Sequence, residues 1–329
     1  MPVMTSSHKN RRIIRSTKEL TKPLPLKDYY QKRNKLLIIR GVGGLGDILM
    51  HRMMFEDFKR LAPDVEIHFA CPKQYHQAVV DHPYVEKVLT MEEYQREDYL
   101  ISYMTTTACG RYELKKAPHY GKHRSDIWAN HCGVELTNHN MHFHLTEEEK
   151  QEGRRLIEGN RDRPGPSVML APISAMELKN FLDFQLLGIV RELRERGMYV
   201  FGSHHQSIYT LIKNDVPVIS GVNLRQWLAM IDQVDYVISV DTAAFHAAGG
   251  MKKPVVGVFT FANAETYGRY YPTAELVQGP CPFNYFGCYN WGLCPEKKRP
   301  KPCLTELKVE DVMSKVDDLL KKWPVQHSI

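Results

Sequence analysis

Residues Asp235–Thr260 read DYVISVDTAAFHAAGGMKKPVVGVFT. YVISV and VVGVF are apolar runs of strand length, Asp241-Thr242-Ala243 is a turn, and AAFHAAGG is a small-residue helix that carries His246. That order aims a helix N-terminus out of the carboxyl edge of a parallel sheet, where open α/β proteins bind phosphorylated ligands. A second such place lies upstream, where LLIIRGVGGLGD at 36–47 runs a strand into a glycine-rich turn ending in Asp47.

Around these two places the chain alternates strand-length apolar runs with amphipathic stretches, the pattern of parallel sheets covered by helices. In the first half the strands are KLLIIR, VEIHFA, VEKVL and YLISY, with a helix over DILMHRMMFEDFKRLA and a short one around YHQAVVDH. GNRDRPGPS at 159–167 reads as a hinge, after which SVMLAPIS, MYVFGS, VPVIS, YVISV and VVGVF predict a second sheet of at least five parallel strands. The fold class expected is therefore α/β, two Rossmann-like domains with parallel sheets facing across a cleft. Their bounds are a basic extension over 1–34, a first unit over 35–160, a second over 166–306 and a C-terminal helix and tail over 307–329.

A chain of 329 residues with 43% hydrophobic content has room for two cores. Its 44 basic and 38 acidic residues give a net charge of +6, and much of the excess sits in the first 35 positions. This argues weakly for nucleic acid, which stays open as an acceptor, and better for a solvated tail or a peripheral contact with a membrane surface. No apolar run reaches the ~18 residues a membrane helix needs, and the N-terminus lacks a secretory signal's apolar segment. A cytoplasmic location is expected, with the inner membrane surface as the place of any peripheral contact.

Gly41-Val42-Gly43-Gly44-Leu45-Gly46 satisfies the dinucleotide fingerprint G-x-G-x-x-G between a strand and a helix. An NAD-dependent oxidoreductase is thus one reading. Against it, VEIHFA ends in Ala70 and Cys71 where a ribose-binding acid belongs. Gly43, Gly44 and Gly46 would in either case let a ligand approach the backbone closely. Asp47 itself has two accounts: a helix-start carboxylate placed for the helix dipole, or a general base taking a proton from an acceptor hydroxyl.

Cys281, Cys288, Cys294 and Cys303 fall within 23 residues of a proline- and aromatic-rich loop. Four thiolates so close could close a structural zinc or iron site, although no C-x-x-C pair is present and local disulfides or unpaired thiols are equally open. His139, His142 and His144 read as ordinary surface residues, the last two on one strand face. The basic run Arg111, Lys115, Lys116, His119, Lys122, His123 and Arg124 reads as a solvated loop, with an anionic acceptor as the alternative.

Taken together, LLIIRGVGGLGDILMHRMMFEDFKRLAPDVEIHF, HPYVEKVL and DYVISVDTAAFHAAGGMKKPVVGVF resemble, in order, three segments of the ADP-heptose:lipopolysaccharide heptosyltransferases, glycosyltransferase family 9. The resemblance implies a GT-B fold and inverting transfer of a heptose-like sugar from a nucleoside diphosphate, ADP by analogy. The acceptor would be a hydroxyl of a glycan or a lipid-linked saccharide, as in lipopolysaccharide biosynthesis, and no cofactor would be required. Asp47 matches the family's catalytic base in the acceptor domain. Lys179, with Ser174 in the preceding turn, matches a donor phosphate contact, and Asp241, Thr242, Ala243 and His246 match the donor-binding turn and helix. Ala243 stands where the family usually has Gly, and Asn180-Phe181-Leu182 stands where it has Trp-Pro. Independently of the resemblance, a helix N-terminus plus one cation can stabilise a leaving diphosphate without a metal. The final stretch, LKVEDVMSKVDDLLKKW, reads as an amphipathic helix that packs on the body; in GT-B enzymes the last helix commonly returns to the first domain. A catalytically silent binding protein that keeps the fold and uses its basic tail and cysteine loop for a partner is the third reading.

Overall fold

The computed structural model describes residues 34–117, 119–204, 208–286, 288, 294–297 and 301–325. The basic extension up to residue 33 and much of the cysteine loop lie outside the described residues.

The first sheet holds β1 (Lys35–Ile39), β2 (Glu66–Ala70), β3 (Lys87–Leu89) and β4 (Ile101–Met104), all parallel in the order β3-β2-β1-β4. β1 is a continuous apolar run because both its faces are covered: Leu36 and Ile38 enter the main core, and Leu37 and Ile39 pack with Ala70 and Leu89 on the other side. Helices α1 (Leu45–Leu61), α2 (Ala108–Lys116), α3 (Arg124–His131) and α4 (Glu147–Glu158) follow the strands. The stretch around YHQAVVDH is a 3-10 turn over Lys73–Ala78.

The second sheet holds β5 (Ser167–Ala171), β6 (Tyr199–Ser203), β7 (Val218–Ile219), β8 (Tyr236–Val240), β9 (Val255–Phe259) and β10 (Ala274–Gln278). Its order is β10-β9-β8-β5-β6-β7, again parallel, in keeping with the at least five strands expected. The helices of this unit are α5 (Asp183–Glu195), α6 (Tyr209–Lys213), α7 (Leu224–Gln233), α8 (Ala243–Gly250), α9 (Ala264–Gly268), α10 (Pro302–Thr305) and α11 (Val309–Lys322).

Each sheet has a point where the strand order reverses, between β1 and β4 in the first and between β5 and β8 in the second. In open parallel sheets the crevice outside the carboxyl ends at such a point is where ligands bind. Asp47 follows β1, and the Asp241 turn follows β8, so both sequence motifs sit at these crevices.

The units meet through helices. α1 packs on α8, while its buried polar residues are held within the first unit: His51 by Thr105 and Trp128, Arg52 by Asp81 and Met141, Asp57 by Thr137. α4 packs on α7, and Arg225 of α7 pairs with Glu149 at 2.6 Å and with Asp81 at 3.3 Å. The last helix packs on the body of the second unit: α11 lies against β9, β10 and α5. Its apolar stripe of Val312, Met313, Val316 and Leu319 is spent on that core, which leaves no apolar face for the first unit.

Candidate active site

Asp47 lies in the first turn of α1, but its side chain does not cap the helix. Gly44 is the N-cap residue and supplies no side-chain bond. The carboxylate is held instead by two arginines: Arg40 Nη2 donates to Oδ2 at 2.6 Å and Arg124 Nη1 donates to Oδ1 at 2.8 Å. Burial alone would raise this carboxyl; the charges of Arg124 and Arg40 outweigh it and hold the pKa at about 2. Asp47 is therefore ionised at any physiological pH, with both oxygens occupied.

The arginines are themselves anchored. Arg40 follows β1 directly and donates through Nη1 to the Thr106 carbonyl at 2.8 Å, while its guanidinium carbon lies 5.2 Å from the centre of the Trp128 ring. Arg124 opens α3 and makes a two-point pair with the buried Glu113 of α2, at 2.8 and 3.2 Å. Beneath Asp47, His51 Nδ1 bonds the Asp47 carbonyl at 2.7 Å and His51 Nε2 meets Thr105 Oγ1 at 2.9 Å. The His51 ring stacks on Trp128 at 3.8 Å. Burial first, then Arg40, lowers its pKa to about 3, so the ring is neutral with its proton on the nitrogen that faces a carbonyl.

On the opposite wall, Lys179 ends a 3-10 turn after β5 and its Nζ lies 2.8 Å from Asp241 Oδ2. Burial would raise the Asp241 carboxyl; Lys179, then His246, keeps it well below the usual range. His246 Nε2 stands 3.8 Å from Asp241 Oδ1, beyond hydrogen-bond reach, and its Nδ1 bonds the Tyr271 hydroxyl at 2.8 Å. Thr242 is the N-cap of α8 but its side chain makes no capping bond, so the first N–H groups of that helix, beginning at Ala243, receive no side-chain cap. Ser174 turns inward on its own loop, its N–H donating to Asn180 Oδ1 at 2.7 Å.

The two walls touch at the glycine turn. A Cβ on Gly46 would lie 3.1 Å from His246 Cδ2 and 3.7 Å from the Ala243 nitrogen and Cα. Gly43 has φ +131, and a Cβ there would meet Arg40 Nη2 at 2.7 Å and Asp47 Oδ2 at 2.9 Å. Gly44, by contrast, faces open space. The structure thus brings together Asp47, Gly43, Gly46, Ala243 and His246, with Lys179 tied in through Asp241.

Sequence reasoning missed Arg40, Arg124, Glu113, His51 and Trp128. Arg124 was in plain view at the end of a basic run read as solvated. Arg111, Lys115, Lys116, His119 and Lys122 of that run are exposed, whereas His123 and Arg124 turn inward. His142 and His144 do not share a strand face, because 138–145 is irregular and His142 has φ +50, with its ring paired to Glu56 at 2.6 Å. His139 pairs with Asp126 at 2.8 Å and stacks on Tyr270 at 3.3 Å, which bridges the units.

None of the seven cysteines is in a disulfide. Cys288 is pushed up to about 12 and Cys303 to about 11, by burial and then by neighbouring cysteines of the same loop, so these thiols gather. Tyr285 N–H also points at Cys281 Sγ, at 3.4 Å. As described, however, no group of three or more His, Cys, Asp or Glu side chains among the described residues is arranged to hold a metal ion.

Two Rossmann-type units whose reversal points face one another, with a carboxylate on one wall and an uncapped helix N-terminus beside a lysine on the other, define a GT-B glycosyltransferase. The chain belongs to glycosyltransferase family 9: the model of that family, described as Glycosyltransferase family 9 (heptosyltransferase), matches residues 109–282. The oxidoreductase reading of the glycine turn and the reading as a silent binding protein give way to this. Among solved structures, a glycosyl transferase family 9 protein from Veillonella parvula superimposes with a TM-score of 0.71 at 13% identity, covering 89% of this chain and 98% of that one. The E. coli heptosyltransferase WaaC with ADP gives 0.59 at 11% identity, covering 87% and 99%. The iron-containing dodecameric glycosyltransferase TibC from enterotoxigenic E. coli gives 0.65 at 14%, covering 89% and 77%. No curated protein matches the sequence. Among the described residues, no helix is long and apolar enough to cross a membrane.

Proposed function

We propose that the protein transfers a heptose-like sugar, with inversion, from an ADP-linked donor to a hydroxyl of a glycan or a lipid-linked saccharide. The observation that carries this is the approach of the two walls at Gly46, which puts the carboxylate-bearing helix α1 against the N-terminus of α8. Inversion needs a base on one face of the sugar and a leaving-group site on the other, and Asp47 and the Lys179–Asp241 pair stand on opposite walls. In this reading Asp47 takes the acceptor proton, and Lys179, Ser174 and the segment Asp241, Thr242, Ala243 and His246 hold the diphosphate and ribose. The relatives support the choice of nucleotide: WaaC was solved with ADP and TibC with ADP-D-beta-D-heptose. Transfer itself then requires no cofactor.

The location that fits this reading is the cytoplasm, where nucleotide sugars are made, with the basic extension as a peripheral membrane contact. Cys281, Cys288, Cys294 and Cys303 would be the ligands of a structural zinc or iron ion, which would have to draw the thiols together, since they form no such group among the described residues. TibC is described as iron-containing, which supports testing iron alongside zinc.

The test is a binding and turnover panel with ADP, UDP, GDP and NAD. Stabilisation by ADP that Lys179→Ala loses and Asp47→Asn keeps, together with loss of transfer in Asp47→Asn, is the expected result. Stabilisation by another nucleotide alone would replace the donor, and undiminished transfer by Asp47→Asn would remove Asp47 as the base.

A further inference from the structure

Both oxygens of Asp47 are occupied by arginine, and an acceptor hydroxyl can reach the carboxylate only if one arginine lets go. The two are not equivalent. Among the described residues Arg40 has no carboxylate partner but Asp47; its other bond runs to the Thr106 carbonyl, and its side chain is 7% exposed. Releasing Asp47 would leave a buried guanidinium without a counter-ion, which is strongly unfavourable. Arg124 has two carboxylates. It can release Asp47 and still keep both of its bonds to Glu113, and its side chain, 21% exposed, is the more accessible of the two.

We propose, on the reading that Asp47 is the base, that Arg124 gates the base and that Glu113 is the counter-ion that lets the gate open. With no acceptor bound, Arg124 bridges Glu113 and Asp47 and closes Oδ1. When the acceptor hydroxyl arrives, Arg124 withdraws onto Glu113 and Oδ1 accepts the hydrogen bond. The O–H bond then breaks toward Oδ1 while the oxygen bonds to the anomeric carbon, and the bond from that carbon to the diphosphate breaks with its electron pair leaving on the phosphate oxygen. Arg40 stays on Oδ2 throughout and fixes the carboxylate's orientation. Glu113 touches neither substrate nor the reacting atoms; it is a positioning residue that works through Arg124.

The charged and titratable groups that face this carboxylate are Arg40 after β1, His51 on α1, Glu113 and Cys109 on α2, Arg124 on α3 and, through its contact with Arg124, Tyr267 on α9. Among the described residues Glu113 is the one other carboxylate that Arg124 reaches. Removing the Glu113 charge should therefore tighten Arg124 on Asp47.

The test follows release of ADP from an ADP-heptose donor, with ADP affinity and melting temperature measured alongside, for the wild type, Glu113→Gln, Arg124→Met, the double variant and Asp47→Asn. Glu113→Gln should lower kcat roughly tenfold to a hundredfold, with ADP affinity unchanged. The double variant should recover most of that loss, because no arginine is left to close Oδ1. Arg124→Met alone should bring an acidic limb into the kcat profile that the wild type lacks, since Asp47 then keeps its burial and loses the cation that lowers its carboxyl most. A Glu113→Gln rate within twofold of wild type, or a double variant as slow as the product of the two single losses, would overturn the gate. If Glu113→Gln does not fold, Glu113→Asp replaces it, and the acidic limb of Arg124→Met decides by its presence or absence. Full turnover in Asp47→Asn would instead sink the base assignment on which the gate rests.

Discussion

Gly46 of the first unit and His246 of the second are so close that a single added carbon on Gly46 would lie 3.1 Å from the imidazole. The contact joins the helix that carries Asp47 to the helix that carries the uncapped N–H groups. The close approach of the two walls therefore depends on a position with no side chain.

Gly46→Val should hold the two walls apart. Overpacking of a tight contact costs about 1–3 kcal/mol, but here it can be relieved by opening the cleft. The expected outcome is a modest fall in melting temperature and a kcat reduced far more than ADP affinity. Small-angle scattering would show the radius of gyration rising; an unchanged radius together with unchanged turnover would mean the contact has no part in closure.

Gly43 is constrained from two sides, by φ +131 and by the Arg40–Asp47 pair beneath it. Gly43→Ala should cost about 1–3 kcal/mol of stability through backbone strain and should also displace the guanidinium from Oδ2. Gly44→Ala is the control, since nothing lies within 4 Å of its added carbon. Denaturant melts of the two variants should separate them clearly, and equal stability would refute the strain argument.

How much of this was legible in the chain follows from where the information lies. The parallel strands could be read because a strand buried on both faces is an unbroken apolar run, as in KLLII and YVISV. The positions of Asp47 after β1 and Asp241 after β8 could be read because a strand followed by a turn and a helix is a local pattern, whereas Lys179 was singled out by the resemblance. The arginine clamp could not: Arg124 is 77 residues from Asp47, and only the packing of α3 beside α1 makes them neighbours. The inward turn of His123 and Arg124 was hidden for a related reason, since a basic run looks the same whether it is solvated or spent on buried carboxylates. Nothing local marked the destination of α11 either, because an amphipathic stripe does not say which core it will cover.

Lys179→Ala should remove the donor's phosphate contact and also leave Asp241, a buried carboxylate, without its cation. The loss in stability is expected to be on the order of 2 kcal/mol, below the figure for a fully buried pair because Lys179 is partly exposed. Asp241→Asn in the same chain should restore part of the stability and none of the ADP binding. A double variant that regains ADP affinity would show that Lys179 serves Asp241 alone.

Three neutral, buried histidines set the acid limit of the fold. His51 and His123 are lowered to about 3 and His82 to about 2, in each case by burial first and by neighbouring positive charge second. A group depressed in the folded state below its ordinary value of 6.5 contributes stability that is complete above pH 6.5. That stability is lost as pH falls toward the folded pKa, because the unfolded chain takes up the proton first. Each histidine should thus cost about 1.4 kcal/mol per pH unit below 6.5, and the three together on the order of 4 kcal/mol per unit. Asp47 acts only later, between its ordinary 3.8 and about 2. Urea melts at pH 7.5, 6.5, 5.5 and 5.0 should show stability flat above pH 7 and falling steeply below 6, with close to three protons taken up on unfolding. A His82→Gln variant should show a shallower slope by one proton, even if its stability at pH 7.5 is lower. A wild-type curve that stays flat down to pH 5 would mean that these rings are protonated or solvated in the native state, contrary to the packing of His51 on Trp128 and of His82 against Phe55.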